Sequence, residues 1–292
     1  MRAGDVPIGG DRSWHPAGSR IWLPEPEVGA LAVHGVTLGH GPHLLLLHGF
    51  VQASWCWRDV LEPLARDHTV HAICVPGFGW SDKPRGVSYR LVDQAARVAR
   101  WLDAMAIEVV DVVGCSLGGA LALQLALDSP ARVGRLVLVN PAGAGRYPMS
   151  MLAALQHERL APLLRLPGVP LGLRTGLRTA AYAELPIDAH YMAHFLAPLR
   201  TDGAGEAALR VARTFNADLR ALDARLDAVA APTLVLRGGR DRVVPESIVR
   251  RVAQRVPQAR WLRYDAAAHC PMEEMPGRFV DDVRDFLATA PR

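Results

Sequence analysis

Lysine is almost missing from this chain. Of 33 basic residues only Lys83 is a lysine, and the arginines are spread over 292 residues rather than gathered in a block. The formal charge of +4, from 33 basic against 29 acidic residues, therefore builds no nucleic-acid or membrane-binding patch. Cysteine is scarce as well: Cys56, Cys74, Cys115 and Cys270 are too few and too dispersed for a disulfide framework, and they share no metal-ligand spacing with histidines. No apolar run reaches bilayer length, and the opening Met1 to Pro7 is not followed by the apolar stretch of a secretory signal. These absences predict a soluble, cytoplasmic protein whose partner is a small molecule, with no nucleic acid and no membrane insertion.

What is abundant is alternation between strand-like and helix-like segments. Short apolar runs, Leu44–Leu47, Val70–Val75, Val109–Val113, Arg135–Val139, Thr233–Arg237 and Arg260–Tyr264, read as strands. Between them Trp57–Ala65, Arg90–Met105 and Gly119–Leu127 have helical spacing, and a last helix runs to about Ala288. Strands alternating with helices predict a mostly parallel sheet covered on both faces, with the loops after the strands gathered at one edge. The first 28 residues read as an irregular arm, and Ala30–Leu38 as an edge hairpin closing through Gly39-His40-Gly41-Pro42. From Gly143 to Pro232 the pattern changes to helices alone, over Met149–Leu166, Leu177–Glu184, Asp188–Leu199 and Gly205–Leu226. The chain thus divides into a core, 29–143 with 232–292, and a helical segment, 144–231.

Three loops carry chemistry. Gly114-Cys115-Ser116-Leu117-Gly118 lies between a β-branched strand and an Ala/Leu-rich helix, so a tight strand-to-helix turn presents the Ser116 hydroxyl beside a helix N-terminus. Gly238-Gly239-Arg240-Asp241 sets a carboxylate after a later strand, and Asp265-Ala266-Ala267-Ala268-His269 sets an imidazole before the last helix. A serine nucleophile needs a base, the base an orienting carboxylate, and the oxyanion two donors. Ser116, His269 and Asp241 supply the first three, and the amides of Phe50 and Leu117 supply the donors, Phe50 lying in His48-Gly49-Phe50 after a buried strand. Asn140, after the preceding strand, cannot carry the required charge. Cys115 and Cys270 adjoin Ser116 and His269 but read as packing residues.

The order Ser, Asp, His, together with His48-Gly49-Phe50, Pro76-Gly77-Phe78-Gly79-Trp80-Ser81-Asp82 and Pro271 and Glu273 after His269, resembles the α/β-hydrolase fold family over about Leu31 to Ala288. The resemblance implies a serine hydrolase with an inserted helical cap that roofs the pocket and opens at Pro/Gly joints near Leu166–Pro170 and Gly203. Tyr182, His190, Tyr191, His194 and Phe195 are placed either to face the pocket or to form an aromatic packing face inside the cap itself. It implies cleavage of a small, largely apolar carboxylic ester through an acyl-enzyme, with no cofactor and no metal. The alternatives are a carbon–carbon bond hydrolase of β-diketone or ring-cleavage products, a lactonase, a thioesterase, or a non-catalytic ligand-binding member.

Overall fold

The computed structural model describes residues 14–145, 147, 169–257 and 259–290. Eight strands form one sheet in the order β1-β2-β4-β3-β5-β6-β7-β8. They are β1 (Gly18–Glu25), β2 (Gly29–Leu38), β3 (His43–Leu47), β4 (Thr69–Ile73), β5 (Val110–Cys115), β6 (Val133–Val139), β7 (Thr233–Gly238) and β8 (Ala259–Tyr264). β2 pairs antiparallel with both β1 and β4; from β4 to β8 every pairing is parallel.

Because strand side chains alternate between faces, an all-apolar strand feeds two cores at once. Leu45 and Leu47 of β3 pack into one core with α2 (Leu91–Ala104) and α3 (Leu117–Asp128). Leu44 and Leu46 pack into the other with α1 (Arg58–Leu64) and the C-terminal helix Pro276–Thr289. α3 is buried on every side from Leu117 to Ala126, as a helix apolar all round must be.

Two expectations are corrected at the N-terminal edge. Residues Gly18–Glu25, assigned to an irregular arm, form β1, and the hairpin turns at Pro26–Val28 rather than at Gly39–Pro42. β2 is consequently an inner strand. β1 escaped notice because an edge strand needs no continuous apolar run: only Leu23 and Glu25 of it are buried, and Trp22 is exposed.

Between β6 and β7 the described residues are helical. α4 runs over Val169–Gly176 and continues with wider, π-type spacing over Leu177–Ala181; α5 is Ala189–Leu199 and α6 is Ala204–Asp223. The expected helix Leu177–Glu184 thus ends at Ala181, and Pro170 starts a helix instead of breaking one, as a proline at the first turn can. The expected helix over Met149–Leu166 lies outside the described residues. Among those described, no helix is long and apolar enough to cross a membrane. The remaining α-helices among the described residues are α7 (Glu246–Arg255), α8 (Pro271–Glu274) and α9 (Pro276–Thr289).

Candidate active site

The turn from β5 into α3 holds Ser116 at φ 54°, ψ −115°, a region costly for any residue with a Cβ. Its surroundings impose that geometry. The Ser116 amide donates to the Val139 carbonyl, and the Ser116 carbonyl accepts from the Gly119, Ala120 and Ala142 amides. No side chain fits at Gly114 or Gly118: a Cβ would stand 2.3 Å from the Gly118 carbonyl oxygen in the first case and 2.1 Å from that of Leu47 in the second.

The loop after β7 brings Asp241 against His269, with Nδ1 of the imidazole 3.0 Å from Oδ2 of the carboxylate. A carboxylate only accepts, so Nδ1 carries the proton and Nε2 is left as the basic nitrogen. Oδ1 of Asp241 accepts from the Val243 and Val244 amides at 2.7 and 3.2 Å. Burial alone raises the Asp241 carboxyl, but the charge and hydrogen bond of His269, the Arg237 guanidinium and the Val243 amide hold it below the ordinary carboxylate range.

Arg237, a charged residue inside the apolar run of β7, is the part of this arrangement that the sequence reading missed. Its Nη1 donates to Asp241 Oδ2, Asn140 Oδ1 and the Val244 carbonyl, and its Nη2 to the Asp241 carbonyl. Asn140 passes the connection on, since its Nδ2 donates to the carbonyls of Ala268 and His269. The signal was present in the sequence: an arginine in a strand buried on both faces, four residues before an aspartate, demands a partner.

His48-Gly49-Phe50 lies beside the serine. Buried His48 donates from Nδ1 to the Gly49 carbonyl and accepts the Val75 amide on Nε2, while Gln52 Oε1 accepts the Gly49 amide. A Cβ at Gly49 would sit 3.3 Å from that of Ser116. Among the described residues the Phe50 and Leu117 amides donate to no protein acceptor.

Ser116, His269, Phe50 and Gln52 line one cavity of ≈ 380 Å³. The helical segment closes it with Leu177, Ala180, Ala181, Tyr182, Phe195, Val211, Ala212 and Phe215. Of the aromatics placed either at the pocket or inside the cap, Tyr182 and Phe195 line the pocket. Tyr191 and His194 instead line a separate hollow of ≈ 10 Å³ against Trp55, and His190 lines neither. Tyr147, Val211 and Phe215 were not anticipated. The segment is also sewn to the Asp241 and His269 loops: the His269 amide donates to the Ala181 carbonyl, that of Arg242 to Ala180, and the Glu274 carboxylate accepts from both Ala268 and Ala183. Cys115 is fully buried, and its thiol faces the His269 carbonyl, 3.8 Å away.

The site lies at the carboxyl edge of a parallel sheet covered on both faces, where open α/β sheets bind their ligands. The sequence profile of the alpha/beta hydrolase fold matches residues 42–276, and the chain belongs to that family. It is 30% identical to the 2-hydroxy-6-oxo-2,4-heptadienoate hydrolase of Pseudomonas putida, over 86% of this chain and 91% of that one. It is also 30% identical to the pimeloyl-[acyl-carrier protein] methyl ester esterase of Nitrosomonas europaea, over 85% and 97% respectively. A crystal structure of a meta-cleavage product hydrolase variant superposes with a TM-score of 0.80 at 24% identity, covering 94% of this chain and 99% of its own.

Proposed function

We propose that this hydrolase-family protein is a serine esterase that cleaves a small, largely apolar carboxylic ester through an acyl-enzyme. Ser116 Oγ attacks the ester carbonyl while His269 Nε2 takes its proton. The imidazolium, held by Asp241, returns the proton to the departing alcohol; water then enters by the same route and releases the acid. The Phe50 and Leu117 amides receive the oxyanion, a contribution of about 3 kcal/mol per donor in a comparable site. Leu117, Gly118 and Gly119 begin α3, whose positive end faces the same place. Every step uses side chains and amides of this chain, and the helical segment acts as the cap that excludes water.

The observation that carries the ester reading is the wall of the cavity. Among the described residues it contains no arginine or lysine. The name of the P. putida relative specifies a dienoate, a substrate whose carboxylate needs a cationic or strongly donating partner once desolvated. The carbon–carbon bond hydrolase reading remains the second choice because that relative supports it.

A fluorophosphonate should label the wild-type protein on Ser116 and fail to label Ser116→Ala. A panel of 4-nitrophenyl esters of increasing acyl length against 2-hydroxy-6-oxo-dienoates then separates the two readings. We expect turnover of short and medium acyl esters, falling for long chains and without a jump at the solubility limit. Faster dienoate cleavage would replace ester by carbon–carbon chemistry.

A further inference from the structure

The two tyrosines of the cavity wall differ in one respect. Tyr182 directs its hydroxyl to Glu273 and Tyr191, 2.5 Å from each. Tyr147 is just as deeply buried, yet among the described residues its hydroxyl has no hydrogen-bond partner. A phenol buried in this way loses its hydration and gains nothing in return, so orphans of this kind are rare in native proteins and call for a reason. Phenylalanine would fill the same space without that cost.

Tyr147 is firmly placed. One amide side chain, that of Asn216 on α6, accepts the Tyr147 backbone amide at 2.9 Å and donates to its carbonyl at 3.4 Å. The ring stands edge-on to Phe215, 5.2 Å between centres, which aligns it with the wall that Val211, Ala212 and Phe215 present to the cavity. Burial, reinforced by the negative charge of Asp241, pushes the phenol well above its ordinary range, so it stays an uncharged donor. The same charge, with no arginine or lysine among the described lining residues, disfavours a carboxylate as its partner.

We propose that Tyr147 determines specificity by donating a hydrogen bond to a second, uncharged oxygen on the substrate, a carbonyl or ether oxygen in the part of the ester that does not react. The preferred substrates are then oxygen-bearing esters rather than plain alkyl ones. This rests on the ester-hydrolase reading and narrows it.

The test compares 4-nitrophenyl hexanoate with its 3-oxo, 4-oxo and 5-oxo forms and the matching ether-containing esters, using wild type and Tyr147→Phe. At least one oxygen-bearing ester should exceed hexanoate in kcat/KM by about tenfold in wild type, and Tyr147→Phe should erase that advantage, lowering kcat/KM on the oxygen-bearing ester about tenfold more than on hexanoate. A preference that survives in Tyr147→Phe, equal losses on all esters, or a higher Tm with unchanged selectivity each overturns the proposal. The last two would identify a packing residue with a wasted hydroxyl. Binding is read separately by calorimetry on Ser116→Ala and Ser116→Ala/Tyr147→Phe, where no turnover intervenes. Tighter binding of the oxygen-bearing ester that disappears in the double variant upholds Tyr147 even where esters prove not to be cleaved. Cleavage by wild type without any discrimination sinks Tyr147 and leaves the esterase reading standing.

Discussion

Arg237 and His269 meet on a single oxygen of Asp241, the guanidinium 2.8 Å and the imidazole 3.0 Å from Oδ2. All three side chains are buried, so the carboxylate has exchanged water for two fixed partners and two backbone amides. A buried charge with that much compensation stays ionised, and an ionised Asp241 is what an imidazolium at His269 requires. In the proposed mechanism Arg237 is thus a positioning residue for the acid, and through Asn140 it is joined to the His269 loop.

Replacing Asp241 by Asn removes the charge with little change in shape. We expect kcat to fall by about 10⁴-fold with KM little changed, as in the equivalent change in a serine protease. Arg237→Met leaves the buried carboxylate without its cationic partner, and should lower stability by about 3 kcal/mol in urea unfolding. Near-wild-type activity in Asp241→Asn, with Asp223 or Asp227 required instead, would move the acid elsewhere.

Ser116→Ala should fold normally and lose turnover, since alanine removes only the hydroxyl at a position that already tolerates a Cβ at φ 54°. Cys115→Ala should keep most activity, because its thiol is buried against a carbonyl and is not among the described residues that line the cavity. Steady-state rates on one ester, with circular dichroism as the folding control, check both.

Glu274 joins the His269 loop to the helical segment through the Ala268 and Ala183 amides, each 2.6 Å from the carboxylate. The amide group of a glutamine accepts on one side only, so Glu274→Gln must break one of these bonds. We expect kcat to fall by about tenfold or more as the base loses its register, with little effect on fluorophosphonate-independent measures such as ligand affinity. A loss of stability with unchanged kcat per folded molecule would make Glu274 purely structural.

Acid should weaken the fold through two buried histidines. Burial lowers His48 and His71 from near 6.5 to about 4, in His71 with help from His43. The folded state therefore binds fewer protons than the unfolded one between these values, and the stability each neutral ring contributes is present above 6.5 and lost as pH falls toward 4. Each is worth on the order of 3 kcal/mol across that window. Urea midpoints at pH 7.5, 6 and 5 should fall progressively, and less steeply in His71→Gln. A flat profile would mean that both rings accept protons without unfolding.

The order of strands and loops that carry Ser116, Asp241 and His269 was determined by the sequence itself, because a β-branched run, a glycine pair and a small-residue loop fix local backbone geometry within a few residues. The same local logic found α1, α2 and the parallel strands. It failed at β1, where pairing with β2 rather than an apolar pattern makes the strand, and at the end of α4, where tertiary bonds to the His269 and Asp241 loops stop the helix at Ala181. Asn140 takes its partners from Arg237 and the His269 loop, far away in the chain, Glu274 ties its own loop to Ala183, 91 residues back, and Asn216, 69 residues on, holds the backbone of Tyr147 at the cavity wall. Periodicity carries no record of such pairs. Local sequence sets which groups stand at the edge of the sheet; long-range packing decides which of them meet, and how dry the place is where they do.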